Sequence, residues 1–538
     1  MQILSVLSIL ALLTICARCQ AVELTDCGLL GPVYPVPANL TGTDAIRGAQ
    51  STFQRLMDEA LQNGTTPWSH VDAVNTTISI GVFSMQSDDF VAQYQYTGSN
   101  PQLKTRLSGG KLDTDTLYRL RSVTKLLTVY TFLAKLGTSH WSEPVANFIP
   151  ELASQLTRNS INNFNWSAVT LGSLAGQMSG LPHDYALGDV SSVPGVTLLG
   201  LPPLNASEII TCGQPGLNPC SVEVASDGNE NITGEALADA FEASLVKTLK
   251  LKRTFWSTPK NDSNIMAGGA WASVADFSEL GRSILQSSIL PKHLSREWLK
   301  PISHSEQLFS SVGRPWEIAR MDVPVSSGSN NTRVVDLYTK SGGYGGYNSW
   351  LFLSPDHEIG IAVLVASISG GEAGSPTLFA LSELALATWI PAAEAAAREA
   401  AAANYVGTFA SEDGLNSSVS LEVVPDHQGM RISQLVYNGT DILELLSLVW
   451  GKAGGSLQYM SLQDDGRFAF RAIWQTPKGQ YPASAVLTRE CNFEWSDVDT
   501  ITYGNIGLDD FIISVDTNGK ATGVEVPALR ASSSKRIE

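Results

Sequence analysis

A chain of 538 residues is too long for one compact core, so two domains are the default. Hydrophobic content of 43% and charged content of 16% fit a globular protein. The net charge of −17 argues against a nucleic-acid partner and against an anionic membrane surface, and leaves small-molecule chemistry open.

Residues 1–21 read as a secretory signal. Ile3 to Ile15 is apolar but too short to span a bilayer, and the small residues Ala17, Cys19 and Ala21 follow. Cleavage is expected after Cys19 or Ala21, and the signal is taken as 1–19. Cys16 and Cys19 leave with it, and Cys27, Cys212, Cys220 and Cys491 remain. An even number in a secreted chain points to two disulfides. Cys212 with Cys220 closes a short loop and leaves Cys27 with Cys491, but four cysteines allow three pairings and the alternatives stay open. Ten Asn-x-Ser/Thr sequons start at Asn39, Asn63, Asn75, Asn165, Asn205, Asn231, Asn261, Asn330, Asn416 and Asn438. Together with the signal they indicate a secreted eukaryotic glycoprotein. No later segment reads as long and apolar enough to anchor the chain.

In chain order, residues 28–44 form an extended lead-in and Ile46 to Leu61 a helix. Thr77 to Phe83 and Phe90 to Tyr96 alternate as paired strands. Leu117 to Leu120 is a short strand, and Leu126 to Leu136 an almost uncharged, buried helix. Leu171 to Met178, Gly234 to Lys247 and Val274 to Gln286 read as helices, with the low-pattern stretch 186–230 between the first two. Val334 to Thr339, Ser349 to Leu353 and Ile359 to Ala366 read as consecutive antiparallel strands. Pro376 to Trp389 is a helix, and Ala392 to Ala403 an alanine-rich, helical connector. From about 404 onward short strands dominate: Val419 to Val424, Met430 to Val436, Arg467 to Trp474, Ser484 to Thr488 and Phe511 to Val515.

Ser122-Val-Thr-Lys125 lies where the strand passes into the helix. A serine there meets unpaired backbone N–H groups and the positive end of the helix dipole, which favour developing negative charge. A lysine three residues on shares its face, and when desolvated it can act as the base that activates the hydroxyl. The tetrad recurs at Ser244–Lys247, Ser257–Lys260 and Ser532–Lys535, but none of these has the strand-to-helix setting. Downstream, Lys340-Ser341-Gly342-Gly343 ends a strand and opens a Gly-rich turn to Tyr347, suited to close backbone approach. There is no Gly-x-Ser-x-Gly elbow and no His-Glu-x-x-His.

With both halves present, the chain resembles the penicillin-binding protein and serine β-lactamase superfamily, and within it the secreted fungal β-lactamase-like proteins of the class C and esterase-like branch. The resemblance is carried by Arg121 to Lys125, Val169 to Leu181, Ala267 to Phe277 and Tyr338 to Gly343. It implies an α+β fold: a β-lactamase/transpeptidase-like core, with an antiparallel sheet flanked by helices and a helical subdomain, spanning 20–395. A β-rich domain occupies 404–538. It further implies Ser122 as acylated nucleophile, Lys125 as general base, and Lys340 and Ser341 as charge stabilisers or a substrate-carboxylate grip. The N–H groups of Ser122 and Gly343 would form the oxyanion hole, with Gly342 beside them. No metal or organic cofactor is needed. The family's intervening Tyr-x-Asn or Ser-x-Asn motif has no clear match, because no tyrosine lies between Tyr185 and Tyr338. Ser226, in Ser226-Asp-Gly228, is the best local substitute, with Tyr185 the other candidate; His183 reads as a loop residue. The expectation is a secreted, monomeric serine hydrolase acting on an ester, amide or lactone of a small molecule such as a secreted metabolite. The alternatives are a transacylase, and a binding protein that lost the chemistry with the second motif.

Overall fold

The computed structural model describes residues 23–107, 110–149, 152, 165–181, 234–256, 269–412, 414–479, 485–487, 491, 494–533 and 535–537. They form two compact units. The first comprises the described residues of 46–321 and 335–393, the second those of 1–45, 322–334 and 394–538.

The first unit is built on an antiparallel sheet. Its strands are β1 (Thr76–Ser84), β2 (Phe90–Thr97), β6 (Ser303–His304), β7 (Ser310–Val312), β8 (Glu317–Pro324, in this unit to Met321), β9 (Thr332–Tyr344, in this unit from Val335), β10 (Tyr347–Ser354) and β11 (Ile359–Ser367). Their spatial order is β2-β1-β11-β10-β9-β8-β7-β6. β1 is buried along its whole length, and so is β11 from Ile359 to Val365. β11 reads as a nearly continuous apolar run, whereas β1 buries Thr76, Thr77, Ser79 and Ser84 among its apolar residues. A small second sheet places β3 (Leu117–Arg119) beside β5 (Ala270–Ser273) and β4 (Thr254–Trp256).

Three helices frame this unit. Helix α1 (Asp44–Asn63) turns Phe53 edge-on to Tyr94 of β2, with ring centroids 6.3 Å apart. Helix α2 (Thr124–Leu136) buries Leu126, Leu127, Val129, Tyr130 and Leu133. Helix α3 (Val274–Gln286) is capped by Ser273, whose side chain accepts from the Asp276 N–H at 3.2 Å, and it buries Phe277, Leu280 and Ile284. These three apolar residues fall at helical spacing, so one face of α3 packs on β1 and β11.

Several elements depart from expectation. Helix α4 runs unbroken over Gly371–Asn404 with Pro376 and Pro391 inside it, joining the expected helix and the expected helical connector into one. Burial of Trp389, Ile390, Ala393, Ala396 and Ala401 holds it together despite the lost backbone donors. By length and composition alone its stretch Ala373–Asn404 would suffice to cross a membrane, contrary to the sequence reading, but 56% of the apolar 18-residue window within it is buried in the protein. Strand β9 continues through Gly343 to Tyr344, so the turn shrinks to Gly345–Gly346. Both turn glycines have positive φ, +60° and +93°, as a two-residue hairpin connection requires. Residues 485–487 carry no strand, and the helix at Leu171 ends at Ala175.

The second unit carries a sheet whose strands run, in spatial order, Ala531–Ser533, Ala521–Val526, Asp510–Val515, Arg467–Gln475, Gly454–Asp464, Met430–Tyr437, Ser418–Glu422, Gly407–Ala410 and Lys535–Ile537. Phe409, Met430, Leu457, Phe470, Phe511 and Ile513 fill its core. The cut at Ala393/Glu394 falls beside the expected domain end at 395, but two further segments join the second unit. The lead-in belongs to this unit: Leu29 N–H donates to Gln458 Oε1 at 2.7 Å, and the Tyr34 hydroxyl donates to the Gly429 carbonyl at 3.0 Å. Residues 322–334 belong here too, through the buried pair of Arg333 with Glu394. Cys27 and Cys491 are disulfide-bonded, one of the pairings the sequence left open. Cys212, Cys220, Ser226, Tyr185 and His183 lie outside the described residues.

Candidate active site

The candidate nucleophile sits one turn earlier than a helix start. Arg121–Val123 forms a 3₁₀ turn and α2 begins at Thr124. Arg121 takes a positive φ of 52°, which swings the chain out of β3 and presents Ser122. Four hydrogen bonds fix this turn from both sides. Leu120 N–H donates to the Ala270 carbonyl (2.8 Å), and Ala270 N–H to Thr124 Oγ1 (3.1 Å). Ser349 Oγ of β10 donates to the Leu120 carbonyl (2.6 Å), and Val123 N–H closes the turn on the same oxygen (3.2 Å).

One turn of helix brings Lys125 back over Ser122, and its Nζ donates to Ser122 Oγ at 3.0 Å. Both residues are half-buried. Around them lies a band of rings: the Arg121 guanidinium is 5.3 Å above Tyr344 and 5.8 Å from Tyr347, and that of Arg119 is 4.8 Å above Trp271. These contacts hold both arginines against aromatic faces. Tyr118, four residues before the serine, is a core residue. Its hydroxyl pairs with Ser79 Oγ at 3.0 Å, and burial pushes its pKa up to about 12.

Strand β9 supplies the other wall. A Cβ placed on Gly342 would stand 2.7 Å from the Ser122 backbone N, and the Leu120 carbonyl is nearer still. Only glycine lets the strand approach the nucleophile turn so closely. Gly342→Ala should therefore cost about 1–3 kcal/mol of stability and slow any reaction at Ser122. Thermal unfolding with a covalent serine probe would check both, and wild-type behaviour in both would show that the wall yields.

Side chains two apart on a strand share a face, so Lys340 projects from the face where Gly342 meets Ser122, roughly 7 Å along the strand. Lys340 is buried, and its ammonium pairs with Glu317 Oε1. Glu317 Oε2 accepts the Ser341 N–H at 2.8 Å. Thr339 Oγ1 donates to the Glu317 carbonyl at 2.7 Å, and Arg320 meets Asp336 at 3.0 Å, so β8 begins alongside Thr339. Amides alternate along a strand. The Gly343 N–H thus points to the same side as that of Ser341, beyond the end of β8, and Gly343 is exposed.

Ser122, Lys125 and Gly342 therefore come together, and Lys340 lies on the same face of β9, paired with Glu317. Glu317, Ser349 and Thr124 were not singled out from the sequence. Glu317 precedes Lys340 by 23 residues, and no spacing rule links them.

A serine and lysine joined at the start of a helix, walled by a Lys-Ser-Gly-Gly strand, define a site of the serine–lysine type. The family model described as "Beta-lactamase" matches residues 94–377, more than half of the chain, and the chain belongs to that family. A second model, "Beta-lactamase-like-like, C-terminal domain", matches residues 397–536. The chain is 25% identical to a beta-lactamase-like protein of Arthroderma benhamiae, over 95% of this chain and 96% of the other. It is 24% identical to a probable hydrolase of a Phoma species, over 86% and 80% respectively. Among solved structures it resembles an octameric penicillin-binding protein homologue from Pyrococcus abyssi, with TM-score 0.40 and 15% identity, covering 88% of this chain and 97% of that one.

Proposed function

We propose that this β-lactamase-family protein is a secreted serine hydrolase that cleaves an ester, amide or lactone of a small molecule through an acyl-enzyme on Ser122. The 3.0 Å contact between Lys125 Nζ and Ser122 Oγ carries the reading. With Lys125 neutral, that contact reverses: the hydroxyl donates, and its proton passes to Nζ as Oγ attacks the carbonyl carbon. The oxyanion that forms is met by the N–H groups of Ser122 and Gly343, and each such donor is worth about 2.7–4 kcal/mol in comparable chemistry. Collapse expels the leaving group with a proton, and water then releases the acyl group by the same steps in reverse. Ser226 is proposed as a carrier of the leaving-group proton. The hydrolase description of the Phoma relative supports the reaction class.

Secretion and glycosylation rest on the signal-like residues 1–21 and on the sequons. Asn39, Asn63, Asn165, Asn330, Asn416 and Asn438 are exposed and Asn75 is half-buried; Asn205, Asn231 and Asn261 lie outside the described residues. The Cys27–Cys491 bond is consistent with an oxidising compartment.

A fluorophosphonate probe followed by peptide mapping tests the reaction. The adduct is expected on Ser122 and should vanish in Ser122→Ala. Labelling at Ser244 would move the nucleophile, and no labelling would favour the binding-protein reading.

A further inference from the structure

We propose that Glu317 is a charge filter in the cleft, so that the site takes neutral esters and amides and rejects substrates with a carboxylate beside the scissile bond. The inference rests on Ser122 being the nucleophile and names the substrate class of that same site. Lys340 is the cation on the face of β9 that meets Ser122, and a lone ammonium there would anchor an anionic substrate. It is not alone. One oxygen of Glu317 takes its charge and the other takes the Ser341 N–H at 2.8 Å. Both carboxylate oxygens are thus used on the two donors that a substrate carboxylate would seek.

Exposure shows which partner the substrate meets. The Lys340 side chain is 4% exposed and that of Glu317 is 37% exposed. A carboxylate arriving along the β9 edge therefore approaches the anion of the pair, with the cation behind it. To reach Lys340 it must displace Glu317 from two charge-assisted hydrogen bonds while facing a like charge. A neutral ester meets neither cost, because its carbonyl needs only the two backbone donors. This is discrimination by a repulsive element built into the site.

The test uses two fluorophosphonates of equal length, one ending in a methyl ester and one in a free carboxylate. The second-order rate of Ser122 adduct formation is read by intact mass at neutral pH. In wild type the neutral probe should react about tenfold faster or more. Glu317→Gln should bring the ratio towards unity, and Glu317→Asp should keep it above the Gln value. If Glu317→Gln does not fold, Glu317→Ser reads the same ratio. Equal rates in wild type, or a wild-type preference that survives Glu317→Gln, would overturn the filter while leaving the hydrolase reading intact. If neither probe labels Ser122, the hydrolase reading fails and takes this inference with it.

Discussion

Lys125→Ala should lower the rate of Ser122 acylation by about 10²–10⁴-fold while leaving the protein folded. The side chain touches Ser122 Oγ at 3.0 Å and is half-buried on α2. No other lysine is placed on this oxygen by the described contacts. Lys340 is committed to Glu317 and to the Ser341 carbonyl, which it reaches at 3.0 Å. Alanine is the better helix former, so α2 should persist and circular dichroism should be unchanged. Stopped-flow acylation by an activated ester gives the rate directly. A loss smaller than threefold would place the base elsewhere.

Arg333→Ala should destabilise the second unit by about 3–5 kcal/mol. The guanidinium donates to Glu394 Oε2 from Nε at 2.9 Å and from Nη2 at 2.7 Å, with both side chains 5% exposed. It also reaches the Gly31 carbonyl at 3.2 Å. Removing it takes a two-donor partner from a carboxylate that stays 5% exposed, and the weakened compensation of that buried charge supplies the cost. Arg333→Met combined with Glu394→Leu should lose much less, because neither charge is then left alone. Urea unfolding, with hydrogen exchange followed in residues 397–536, reports the change where it acts. A single variant as stable as the double one would show that the pair is not electrostatically coupled.

The serine–lysine contact is legible in the sequence because it is local. Ser122 and Lys125 lie three residues apart, and one helical turn is enough to join them. Gly342 was legible as a residue that lets backbone come close, though its partner was not. Val274 to Gln286 was read with its observed limits, because a capping serine and an apolar stripe mark it without outside help.

The errors share a cause. Glycines ordinarily mark a turn, yet pairing with β10 carries strand β9 through Gly342 and Gly343. Helix α4 joins the two helical segments across Pro391 because burial of Trp389 and Ile390 sustains it there. The strand Gly454–Asp464 was missed because its two glycines and its polar second half weaken the alternation that marks a strand.

The amino-acid sequence by itself determined the mixed α and β composition, the serine–lysine pair, the glycines that permit close approach and the β-rich character of the C-terminal part. These are properties of short windows, where backbone preference and side-chain spacing act directly. Tertiary structure alone decided that Cys27 pairs with Cys491, that residues 322–334 join the C-terminal unit, and that Glu317 closes on Lys340 and Ser341. Each of these depends on which segments become neighbours, and burial and charge pairing select those neighbours only after the chain has folded.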